Sequence, residues 1–143
     1  MTGKERYWLA QLKKWQKRLW LGHWTIDNGV YDNDETFEMS DEHKHAAGAG
    51  VLARTYPMPE YRQAVVKGNC KVIPMMTRPE LNRNASHESL HVVLSPYRIL
   101  FNRMREAMSK KQGDAFSEWW QAVDEEVTTH LTDVFVYEEK RHA

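Results

Sequence analysis

Apolar residues recur at helical spacing from the start of the chain. Trp8, Leu12, Trp15 and Leu19 are separated by four, three and four residues, a one-face stripe that predicts an amphipathic helix over residues 4–21, closed by Gly22. The period then shortens. "HWTIDNGVY" alternates, with Trp24 and Ile26 on one side and His23 and Thr25 on the other, as in a half-buried strand. Residues 32–45, "DNDETFEMSDEHKH", have neither period and read as a polar, acidic, exposed connection. Two further strands are expected, Gly50 to Tyr56 and Tyr61 to Lys67, broken at Pro57 and Pro59 because proline cannot sit inside a central ladder. "CKVIPMM" fits either a short edge strand or an ordered loop.

The second half reads as helices. Thr77-Arg78-Pro79-Glu80 combines a capping threonine, an early proline and a glutamate that completes a capping box. The helix it starts should run to about Leu94 and stop before Pro96. Ile99, Leu100, Phe101 and Met104 predict another helix, and Gly113-Asp114 a break. A long helix should follow from Ala115 to about Tyr137, its stripe of Phe116, Trp120, Val123, Val127, Leu131 and Val134 facing the core. The expected fold class is α+β: an N-terminal helix, a small antiparallel sheet of about three strands, and two principal later helices, in one domain spanning residues 1–143.

Composition narrows the function classes. Lys+Arg and Asp+Glu are each 20, so no net basic field draws the protein to nucleic acid or anionic lipid, and neither partner is expected. The basic residues of the first helix fit a solvated outer face better than a phosphate-binding one. A single cysteine, Cys70, rules out a disulfide within the chain and fits a reducing, cytoplasmic setting. The charged N-terminus does not resemble a signal peptide, and no run approaches a membrane span. Most of the six tryptophans are expected in the core.

The chemistry concentrates in "NASHESLHVVLSP", residues 84–96, which contains His-Glu-x-x-His. On a helix, His87 and His91 lie one turn apart on one face and can both reach one metal ion. Glu88 stands beside them, able to take a proton from a coordinated water whose pKa the metal lowers towards about 7. Chance alone produces this pattern in a chain of this composition roughly 3% of the time, so the capped helix around it is what gives the motif weight. A catalytic zinc site needs a third protein ligand. The chain lacks a Gly-x-x-His continuation after His91, and the candidates lie in "DEEVTTH": Glu125, Glu126 and His130. The helical wheel puts both glutamates on flanks of the apolar stripe and does not choose between them. His43 and His45 lack an apolar frame and read as surface residues.

The order of elements, the Trp24-x-Ile26 strand, "HESLHVVLSP" and "EEVTTHL" together resemble the small zinc metallopeptidases of phages and prophages, which are single-domain and zincin-like. The resemblance implies zinc held by His87, His91 and a glutamate of the last helix, with Glu88 as catalytic base. Aligning "EEVTTHL" on its Glu-x-x-Thr-x-x-Leu spacing puts Glu125 in the ligand position. The chain departs from well-studied relatives in carrying Thr129, not an aspartate, four residues after that glutamate. The expected function is hydrolysis of a peptide or protein substrate, with Tyr97 or His130 as a further donor to the scissile carbonyl. The competing expectation is a phage or prophage accessory protein that keeps the fold without turnover.

Overall fold

The structure is a computed structural model that describes residues 1–32 and 51–143; His43 and His45 lie outside the described residues. Helix α1 spans Gly3–Arg18. Thr2 and Glu5 form a capping box, and Trp8, Leu12 and Trp15 are its buried stripe. It ends earlier than Gly22 because Trp20 takes a left-handed conformation (φ 60°), which no helix continues. Gly22 falls inside the short 3₁₀ turn that follows, Leu21–His23.

Strands β1 (Thr25–Tyr31), β2 (Ala53–Met58) and β3 (Gln63–Asn69) form one sheet in the order β1-β3-β2. β2 and β3 are antiparallel, but β1 and β3 are parallel, so the sheet is mixed and not antiparallel as expected. The physical reason lies in the side chains. β3 supplies the buried positions Ala64, Val66 and Gly68, which suit a central strand, while β1 carries Asp27 and Asn28 and β2 carries Pro57. With β3 between them, β1 and β2 cannot pair with each other. Pro57 lies within β2, paired with Ala64, which an edge strand tolerates; the break falls at the 3₁₀ turn Pro59–Tyr61. "CKVIPMM" resolves into a loop with a 3₁₀ turn at Ile73–Met75.

Helices α2 (Arg78–Leu94), α3 (Pro96–Glu106) and α4 (Lys110–Arg141) follow. α2 starts at the predicted Thr77/Glu80 capping box and stops at Ser95. Gly113 does not break the chain. A Ser109/Gln112 capping box starts α4 before it, and the glycine lies against Arg105 of α3. The core contains Trp8, Leu12 and Trp15 of α1, Val66 of β3, Ile73, and Leu81 and Ala85 of α2. Gly68 is required there, since a Cβ would stand 2.5 Å from the Trp8 ring. α4 runs antiparallel along α2, as the pairs Asn82–Glu139, Arg83–Asp133 and His87–Glu125 record.

Phe116 and Trp120 of the expected stripe stack on Phe101 of α3, but in its C-terminal half α4 buries a face that its apolar residues do not mark. Beyond Gly113, the buried residues of α4 are Thr128, Thr132 and Val136, while Val127 and Val134 are 42% and 45% exposed. Each threonine hydroxyl donates to the carbonyl four residues back, Asp124 and Thr128 respectively, so the side chains enter the interface with their polar atoms satisfied. On α2, Ala85, Ser86 and Ser89 are fully buried, and such small residues let another helix approach closely. Among the described residues no helix is long and apolar enough to cross a membrane.

Candidate metal centre

α2 places His87 and His91 one turn apart, and the antiparallel α4 brings Glu125 across from them. His87 Nε2 lies 3.1 Å from His91 Nε2 and 2.9 Å from Glu125 Oε1, and His91 Nε2 lies 3.3 Å from Glu125 Oε2. Around a tetrahedral ion with ligands at about 2.0–2.1 Å, neighbouring ligand atoms stand roughly 3.3 Å apart; the imidazoles face different oxygens of Glu125, and one ligand atom from each of the three residues lies within 4.8 Å of the others. These are the residues among the described ones whose ligand atoms converge in this way. Glu126 and His130 line the same cleft but contribute no atom to the group, and Tyr97, exposed on α3, does not line it.

The cluster behaves electrostatically as a site that needs positive charge. Burial works to lower the His91 pKa, but the carboxylates of Asp124, Glu125 and Glu88 outweigh it and raise the group to about 10. Bonds from His87 and then His91 hold the Glu125 carboxyl well below the usual carboxylate range, against the effect of its partial burial. Protein without metal therefore keeps a proton on His91 at neutral pH, in the place where a cation would sit. Asp124 stands on the other side of that ring, its Oδ2 3.7 Å from His91 Nδ1. The position four residues after Glu125, where such a carboxylate is expected, is Thr129. The residue facing His91 comes one position before Glu125 instead.

Glu88 lies beside the cluster and is only 4% exposed. It is nevertheless part of the wall of a cleft of about 1420 Å³, bounded by β2 on one side and α4 on the other. Thr55 of β2 donates its hydroxyl to Glu88 Oε2 at 2.6 Å, a contact no local sequence pattern foretells because it spans 33 residues. Two neutral-capable imidazoles, one carboxylate ligand and one further carboxylate in a shared cleft can hold a divalent metal and move a proton next to it. Comparison with family models, curated proteins and solved structures found no match for the chain.

Proposed function

We propose that this chain is a zinc-dependent metallopeptidase of zincin-like type, related to the phage and prophage enzymes it resembles. The observation that carries the reading is the convergence of His87 Nε2, His91 Nε2 and the Glu125 carboxylate within 4.8 Å of one another, with Glu88 next to them in one cleft. His87, His91 and Glu125 would hold the zinc; two imidazoles and a carboxylate are a donor set that suits this ion and leaves a coordination position open. Zinc so held supplies an acidified water and a Lewis acid for the scissile carbonyl.

The chain's own residues do the rest. Glu88 accepts a proton as the water oxygen bonds to the carbonyl carbon, and passes it to the nitrogen as the C–N bond breaks. The balance is one water added across one peptide bond, with no change of oxidation state. Among the described residues β2 is an edge strand bordering the cleft, and an extended peptide added along it would lie beside Glu88. Asp124 orients the His91 ring from behind.

Elemental analysis of purified protein should find one zinc per chain, and none bound tightly after Glu125→Ala, whereas Glu126→Ala should keep it. Glu88→Gln should keep the zinc and lose hydrolysis of a labelled casein by a factor of at least about 10². Full activity in Glu88→Gln would refute this mechanism.

A further inference from the structure

The carboxylate of Glu88 is held on both oxygens by groups that belong to neither the metal cluster nor its ligands. Oε2 accepts the Thr55 hydroxyl at 2.6 Å, and the same hydroxyl oxygen is 3.2 Å from the Glu88 carbonyl oxygen. Oε1 faces the Asn84 amide nitrogen at 3.4 Å, one turn earlier on α2. The orientation of that amide is fixed from behind: Trp8 Nε1 lies 2.9 Å from Asn84 Oδ1, and an indole N–H can only donate, so the amide oxygen must face Trp8 and its NH₂ must face Glu88. Thus β2 and α1 both hold a side chain rooted on α2.

A glutamate has three rotatable side-chain bonds and in a cleft samples several rotamers, most of them out of reach of a reacting water. A misplacement of about 1 Å at such a group can cost roughly 10²-fold in rate. We infer that Thr55 is a positioning residue for Glu88, fixing the base from the strand along which the peptide would lie, with the Asn84–Trp8 pair as the opposing stop. The inference rests on the peptidase reading for its purpose and on the hydrogen-bond geometry for its existence. Thr55 is suited to both duties. Its inward side chain reaches Glu88 while its backbone belongs to the edge strand bordering the cleft.

The test uses zinc-loaded full-length protein with Thr55→Val, which keeps the branched shape and removes the hydroxyl, and Thr55→Ser, which keeps the hydroxyl. Casein hydrolysis in Thr55→Val should show kcat lowered at least about 10-fold, with KM and zinc content unchanged, and Thr55→Ser should recover most of the loss. A second readout needs no turnover. The ¹³C shift of the Glu88 carboxylate, assigned through Glu88→Gln in metal-free protein, should move in Thr55→Val and stay in place in Thr55→Ser. An unmoved carbon shift, or wild-type kcat in Thr55→Val, overturns the positioning role. A wild-type protein that binds zinc and hydrolyses nothing overturns the peptidase reading and the catalytic purpose of Thr55 together, while the carbon shift still decides whether Thr55 holds Glu88.

Discussion

At His91 a proton holds the place the proposed metal ion would take. The folded, metal-free protein holds that proton up to about pH 10, whereas a free histidine releases it near 6.5. The interaction therefore stabilises the metal-free fold fully below about pH 6.5 and is lost as pH rises towards 10. Glu125 acts in the opposite sense: its lowered pKa favours the fold above its ordinary value of 4.5, and that contribution fades as pH falls below it. Melting in the presence of a chelator should show stability highest between these limits and a decline from about pH 6.5 upward. Glu125→Gln should flatten the decline, since it removes a carboxylate that raises His91. On the proposed reading, zinc uptake near neutral pH would expel the His91 proton, and titration calorimetry in buffers of different ionisation enthalpy should count it.

Among the elements, the two glycines the structure singles out make opposite predictions. Gly113 sits in the first turns of α4, where an added Cβ would make ordinary van der Waals contact with Arg105, its side chain at 3.4 Å and its carbonyl at 3.9 Å, so Gly113→Ala should stabilise by about 0.5–1 kcal/mol. Gly68→Ala drives a methyl into Trp8 and Ile73 and should cost on the order of 1–3 kcal/mol. Urea unfolding with an unchanged m-value checks both. The start of α2 was legible in the sequence because a capping box is local, and the His87/His91 pair because one helical turn is local. The face that α4 buries in its C-terminal half was not. Counting apolar residues favours Val127 and Val134, but threonines whose hydroxyls bond their own helix can be buried in their stead. The sheet order was equally hidden, since the β1–β3 pairing joins residues 38 apart, Thr25 with Gln63, across another strand. Thr55 was missed for the same reason, while Glu125 stood out only through spacing within a resemblance.

Across the whole molecule, α1, α2 and α4 are tied at two ends. At one, Glu139 gathers Lys14, Arg18 and Asn82, and Trp15 donates to the same Asn82, so two basic residues of α1 tie it to α4. At the other, beyond the Arg83–Asp133 pair, His87 and His91 of α2 face Glu125 of α4, so zinc bound there would act as a cross-link. At a thousandfold excess over Kd it should add roughly 4 kcal/mol, a rise in Tm on the order of 10 °C that EDTA reverses and that His91→Ala lacks. The tryptophans divide along the same architecture. Trp8 and Trp15 are buried in the core and Trp24 and Trp120 are half-buried against it or against Phe101, whereas Trp20 and Trp119 are 85% and 60% exposed. The protein therefore carries its own optical gauge. Acrylamide should quench a red-shifted emission from Trp20 and Trp119 and leave a blue-shifted one from Trp8 and Trp15 largely intact. Loss of that protected fraction would signal α1 lifting from α2, the movement that also releases Asn84 from its indole partner.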